Sequence, residues 1–224
     1  MKLGVLFSGG KDSTYAALLA KRAGHELACF LTVDSENENS FMFHTPAIKL
    51  TKLQSKLADV PFLLRKTNGK KELELFDLEE LIKDAIERYN IDGIVTGAVE
   101  SVYQASRVQE ICDKLEVQCF NPLWQKNQWE LLDELIESGF DMRIVGVFAY
   151  PFDGKMIGRK IDKKFVEDIG KVHKRLRINP AGEGGEFESL VVNCPLFKKP
   201  LGVNDIKAVG AGNSWRGEVK LKNG

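Results

Sequence analysis

The chain of 224 residues has no excess of charge, with 32 Lys and Arg against 32 Asp and Glu. General binding to nucleic acid needs a basic surplus to displace counterions from phosphates, so any such role would have to be local. Only seven prolines accompany 20 glycines in a composition that is 43% hydrophobic, which excludes disordered and collagen-like chains. Cys29, Cys112, Cys119 and Cys194 form no Cys-x-x-Cys pair, so a disulfide scaffold is excluded and reduced cytoplasmic thiols are expected. His25, His44 and His173 stand far from one another and from the cysteines, leaving no metal-ligand spacing. The apolar run after Met1 is too short for a signal peptide and stops at glycines, and no segment approaches membrane-spanning length. No internal repeat or low-complexity tract is present. The expected location is the cytoplasm.

What is there is an alternation of short apolar runs and helical patterns, as a parallel sheet with crossover helices requires. Strands are expected at 3–7, 26–33, 62–64, 91–96 and 117–120, and helices at 14–23, 47–58, 73–89 and 100–115. Thr45-Pro46 supplies a helix start with proline at the first helical position, and Gly24 a helix end. Residues 71–92 carry eight acids against three bases, read as the solvated face of an amphipathic helix. After Asn121-Pro122 the pattern changes: helices are expected at 127–138 and 162–177, a strand at 142–149, a Gly/Glu loop at 181–189, and short strands and turns over 203–221. A domain boundary is placed near 121–126. The fold class is therefore α/β, with a five-stranded parallel sheet followed by a smaller C-terminal α+β domain.

Ser8-Gly9-Gly10-Lys11-Asp12-Ser13 joins the first strand to a helix and makes an anion cradle. The glycines let successive N–H groups converge on an oxyanion, and the helix N-terminus adds its positive dipole end. Ser8 and Ser13 add hydroxyls and Lys11 a full charge, while Asp12 either caps the helix or holds a metal ion. A Walker A loop is excluded twice over: Val5 stands at its first glycine position and Asp12 at its hydroxyl position. The dinucleotide fingerprint fails as well, because Gly9 and Gly10 are adjacent and no glycine follows in the first helical turn.

The segment 8–13 resembles the pyrophosphate loop of the N-type ATP pyrophosphatases, which cleave ATP between the α and β phosphates. Together with Gly97-Ala98-Val99-Glu100-Ser101-Val102-Tyr103-Gln104-Ala105-Ser106-Arg107-Val108 and the loop Asn179–Ser189, it resembles the diphthine–ammonia ligase family along nearly the whole chain, Asn121-Pro122-Leu123-Trp124 included. The resemblance implies a sheet of the adenine nucleotide alpha hydrolase-like type in a nucleotide-binding domain 1–124, and a substrate-binding domain 125–224. It implies ATP and magnesium ion, elongation factor 2 carrying diphthine, and ammonium taken from solution, with neither membrane nor direct nucleic-acid contact and a homodimer left open. Lys11, Asp12 and Ser13 would be catalytic. Ser8 through Ser13 and Gly97 would bind nucleotide, with Asp12 as the magnesium ligand. Expected products are AMP and pyrophosphate, formed through an acyl-adenylate. Rival readings are a tRNA-modifying ATP pyrophosphatase and a non-catalytic nucleotide sensor.

The Gly/Glu loop is notable on its own chemistry, because residues 178–197 contain three glutamates and neither Lys nor Arg. Glu183, Glu186 and Glu188 could converge on a cation: the trimethylammonium group of a diphthine substrate, or magnesium; a solvated acidic loop is the plain alternative. Phe187, Tyr103, Trp124 and Trp129 are available as aromatic faces or as core. Gly97 follows the fourth strand at the ligand-binding end of such sheets and would let backbone approach a nucleotide. Arg107 reaches either a phosphate or carboxylate, or a surface salt bridge. Residues 159–177, with eight bases against three acids, form a solvated helix or dock an acidic partner.

Overall fold

The computed structural model describes residues 1–35, 48–68 and 73–222. Thr45-Pro46 and His44 lie outside the described residues. The chain divides into two compact units: one runs to Trp124 except for Gly9–Lys11, and the other joins Gly9–Lys11 to the chain from Gln125 onward.

In the first unit the elements follow as β1 (Lys2–Leu6), α1 (Lys11–Arg22), β2 (Glu26–Ser35), α2 (Thr51–Ala58), β3 (Phe62–Thr67), α3 (Leu73–Tyr89), β4 (Gly93–Val95), α4 (Val102–Lys114) and β5 (Gln118–Phe120). The strands form one parallel sheet in the order β3-β2-β1-β4-β5. Near-continuous apolar strands such as Leu3, Val5, Cys29, Phe30 and Leu31 are buried, as a sheet covered by helices on both faces demands. One face packs Leu31, Val33 and Ile94 against Leu78, Leu81, Ile82 and Ala85 of α3 and against Val108, Ile111 and Cys112 of α4. The acids of α3 are not all solvated: Glu74 and Glu79 are buried. Glu79 joins α3 to α4 by accepting from Lys83 and Lys114, each at 2.8 Å. The Lys114 hydrogen bond, then that of Lys83, holds the Glu79 carboxyl below its ordinary value. Sequence order reverses between β1 and β4, and the carboxyl ends of these strands flank the crevice where open α/β sheets take ligands.

The second unit contains α5 (Gln128–Glu137), β6 (Asp141–Val147), α6 (Lys163–Leu176), β7 (Phe187–Asn193), β8 (Val203–Ala211) and β9 (Ser214–Leu221). Its sheet is antiparallel, in the order β7-β6-β9-β8. Two expectations need correction. The tail is one long hairpin paired from Val203–Leu221 to Ala211–Ser214, rather than short strands and turns. The Gly/Glu loop ends at Glu186, because Phe187–Ser189 pair with Val147–Ile144 of β6. The basic helix α6 spends part of its charge locally: Asp168 accepts from Arg159 at 2.6 Å and from Lys164 at 3.0 Å.

Candidate functional site

The strand β1 delivers the chain to the glycine turn in a fixed position. The Phe7 N–H donates to Leu31 at 2.8 Å, the Thr32 hydroxyl donates to the Phe7 carbonyl at 2.6 Å, and the Phe7 and Phe30 rings stack at 4.1 Å. Ser13 then closes the turn: its Oγ accepts from the Ser8 N–H at 3.2 Å and lies 3.1 Å from the Ser8 hydroxyl. Gly9 takes φ +76°, a conformation that favours glycine. Asp12 stands in the first turn of α1, where a carboxylate favours the helix dipole.

The turn after β4 lies directly on that first helical turn. A Cβ on Gly97 would sit 2.6 Å from the Ser13 nitrogen and 2.8 Å from the Asp12 carbonyl carbon, so only glycine fits. A relay of side chains fixes this turn from β5. Thr96 Oγ1 accepts from the Ala98 N–H at 3.1 Å and donates to Asn121 Oδ1, while Asn121 Nδ2 donates to Cys119 Sγ at 3.9 Å. The hydrogen bond between Cys112 and Cys119 holds the Cys119 thiol low and pushes Cys112 up, with burial raising Cys112 further.

In the second unit the glycine turn covers the free edge of β7, which removes an exposed strand edge. The Val191 N–H donates to the Gly9 carbonyl at 3.0 Å, and the Lys11 N–H donates to Ser189 Oγ at 3.1 Å. Lys11 is 4% exposed, and its Nζ stands 3.7 Å from Glu183 Oε1. The Gly/Glu loop has an internal clasp made by Glu186. That carboxylate accepts from the Asn179 N–H at 2.7 Å, the Asn179 amide at 3.1 Å and the Gly184 N–H at 2.8 Å. Gly182 and Gly185 adopt positive φ, and a Cβ on Gly184 would come 2.5 Å from Asn179 Nδ2. From α5, Gln128 accepts the Ala181 N–H at 3.0 Å and donates to Asn179 Oδ1 at 3.1 Å.

Several expected site residues therefore stand otherwise than the sequence suggests. A base does face the Gly/Glu loop, since Lys11 meets Glu183. Glu186 is buried and turned into the loop's own backbone, so it is not a free carboxylate awaiting a cation. Glu188 lies within β7. Phe187 is core, with its ring edge-on to Phe165 at 5.5 Å and to Phe152 at 6.3 Å. Trp129 packs edge-on against His173. Gly97 admits the start of α1 through its missing side chain. Arg107 pairs with Glu110 at 2.8 Å and lies over the Tyr103 ring on the surface of α4. Thr96 and Gln128 escape a reading of the sequence alone, while Asn121, Asn179 and Ser189 stand in segments that carry the resemblance but had no role of their own there.

Residues 1–119 match the family described as Diphthamide synthase N-terminal domain, and residues 127–222 match Diphthamide synthase C-terminal domain. The chain belongs to the diphthamide synthase family. This family member is 32% identical over 228 residues to a diphthine–ammonia ligase of Bos taurus, covering 93% of the chain and 85% of that relative. It is 31% identical to a diphthine–ammonia ligase of Schizosaccharomyces pombe over 93% of the chain, yet spans only 37% of that longer protein. A tRNA-specific 2-thiouridylase MnmA of Pseudothermotoga lettingae is 26% identical over 82% of the chain, which spans 48% of it. Among the described residues, no helix of this diphthamide synthase family member is long and apolar enough to cross a membrane.

Proposed function

We propose that the chain is a cytoplasmic diphthine–ammonia ligase, which amidates the diphthine carboxylate of elongation factor 2 with ammonia at the expense of ATP. The observation that carries this reading is the match to a diphthine–ammonia ligase over 93% of this chain and 85% of the relative. The lower identity to the thiouridylase, together with a net charge of zero, weighs against the tRNA-modifying reading.

In this reading the first domain, 1–124, takes ATP and the second, 125–224, takes the modified factor. A diphthine carboxylate oxygen attacks the α-phosphorus, and the bond to the pyrophosphate oxygen breaks. Ammonia then attacks the acyl carbon, AMP leaves, and a proton passes to solvent. No side-chain nucleophile is required, because positioning and charge stabilisation supply the acceleration. The N–H groups of Gly9 and Gly10, the α1 N-terminus and Lys11 hold the departing pyrophosphate, with the Ser8 and Ser13 hydroxyls beside it. Magnesium would neutralise part of the phosphate charge. It suits a site with one carboxylate and phosphate oxygens rather than an all-protein cage, and Asp12 is the carboxylate that would hold it. Glu183 balances Lys11 until phosphate arrives; once Lys11 turns to phosphate, Glu183 on the loop and Glu188 on β7 are the carboxylates left for the trimethylammonium group.

The reading is tested by nucleotide analysis with ATP, ammonium and diphthine-bearing elongation factor 2. AMP and pyrophosphate should accumulate equally, and only with all three present. ADP as the main product would refute it, as would undiminished turnover in Asp12→Ala.

A further inference from the structure

We infer that Gln128, which lies on α5 outside both the phosphate turn and the Gly/Glu loop, is the positioning residue that sets Glu183 against Lys11. The inference rests on the reading of this site given above. Its ground is the polarity of a buried hydrogen-bond chain. A carboxylate only accepts, so Glu186 requires the amide nitrogen of Asn179 to face it, as it does at 3.1 Å. Asn179 Oδ1 is thereby turned toward α5, where it accepts from Gln128 Nε2. The remaining Gln128 atom, Oε1, then meets the Ala181 N–H at 3.0 Å. Every amide in the chain has one allowed orientation, and it propagates from Glu186 to the backbone two residues before Glu183.

That backbone is closed by two turns of its own, the Gly182 N–H donating to the Asn179 carbonyl at 3.1 Å and the Gly185 N–H to the Gly182 carbonyl at 3.0 Å. Gly182 and Gly185 at positive φ bracket Glu183, so the loop between them is permissive, and side chains from outside it add to those turns at both ends. Glu186 fixes one end through the Gly184 N–H, and Gln128 fixes the other through Ala181. Gln128 is 8% exposed, so its two hydrogen bonds form away from solvent, and an apolar replacement would leave Ala181 N–H and Asn179 Oδ1 without them. Glutamine is the one residue of this length that both donates and accepts at neutral pH in the required order. Glutamate does so only when protonated, as its O–H could donate to Asn179 and its carbonyl oxygen could accept from Ala181; once ionised it opposes Asn179 Oδ1.

The test uses the full chain with Gln128→Leu and Gln128→Glu, at a temperature where circular dichroism shows every protein folded. Amidation of diphthine-bearing elongation factor 2, ATP affinity by calorimetry, and hydrogen exchange at the Ala181 and Gly184 amides are measured together. Gln128→Leu should lower kcat/KM for amidation about tenfold, the scale of losing a pair of buried hydrogen bonds. ATP affinity should stay within about twofold or tighten, because the phosphate turn keeps its donors while Lys11 loses a competing carboxylate. Ala181 should exchange faster. Gln128→Glu should approach the native rate as the pH is lowered, and Gln128→Leu should not. Equal loss of ATP affinity and amidation, unchanged exchange at Ala181, or a Gln128→Glu defect that ignores pH would overturn the inference. If Gln128→Leu fails to fold, Gln128→Glu at acid pH carries the test. If the native chain itself makes no diphthamide, the functional reading fails, and the exchange and ATP arms still decide the role of Gln128.

Discussion

A single methyl group at Gly97 should damage both the fold and the glycine turn before α1. A Cβ there would lie 2.6 Å from the Ser13 nitrogen, 2.8 Å from the Asp12 carbonyl carbon and 2.9 Å from Ser13 Cα. All three are backbone atoms in the first turn of α1, so no flexible side chain can swing aside. Reaching ordinary contact requires the turn after β4 and the start of α1 to part by about 0.8 Å, an overpacking that costs about 1–3 kcal/mol. For a unit of this size the melting temperature should fall by about 4 °C per kcal/mol. Displacement on this scale at the residues proposed to hold phosphate should lower kcat/KM by about ten- to a hundredfold. The control is Gly170→Ala, the same methyl added inside α6, where it meets only the Trp129 ring at 3.9 Å. That variant should gain about 0.5–1 kcal/mol, because alanine loses less backbone freedom than glycine in a helix. Paired thermal scans and pyrophosphate release assays decide the matter. Gly97→Ala with native melting temperature and native turnover would refute the close approach of these two turns.

Further outcomes are expected elsewhere. Glu183→Gln should leave ATP affinity nearly unchanged in calorimetry while weakening diphthine-bearing elongation factor 2 about tenfold, the scale of a charge-assisted contact; the opposite pattern would place Glu183 with the nucleotide. Burial pushes the Cys29 thiol up to about 12 and Cys194 to about 11, whereas the Cys112 hydrogen bond holds Cys119 low. Limited alkylation at mild alkaline pH with peptide mapping should therefore label Cys119 first, and earlier labelling of Cys29 would contradict the packing. Hydrogen bonds from Lys164 and then Arg159 hold the Asp168 carboxyl well below the usual carboxylate range. Its contribution to stability is present above the unfolded value of about 4 and is lost as pH falls through the folded value. Urea denaturation of Asp168→Asn should accordingly differ from the native chain at neutral pH and converge with it in acid; a constant gap would show that the ion pairs do not carry the effect.

The parallel sheet was legible because buried strands and amphipathic helices differ in period. The expected helix 73–89 coincides with α3, and Asp162 and Arg177, the expected ends of the basic helix, are the caps of α6. The glycine turn between β1 and α1 was legible as a strand-to-helix turn because two adjacent glycines follow a buried apolar strand. Glu186 misled because local sequence showed its charge but not the three N–H groups that enclose it. The base facing the Gly/Glu loop was invisible for a similar reason: Lys11 lies 172 residues before Glu183 and reaches it only because the glycine turn pairs with the edge of β7. Gln128 left no trace in pattern at all, since its partners are 51 and 53 residues away. Charge and periodicity are local properties, and the hydrogen bonds that fix this site are long-range.

The mass of elongation factor 2 itself decides whether this chain amidates diphthine. Factor carrying diphthine is incubated with the chain, ATP and ammonium, and the peptide bearing the modified histidine is weighed before and after. Replacement of the carboxyl hydroxyl by an amino group, dependent on both ATP and ammonium and taking its nitrogen from labelled ammonium, is the predicted result. With unlabelled ammonium, a peptide of unchanged mass, with the chain folded and binding ATP, would contradict it.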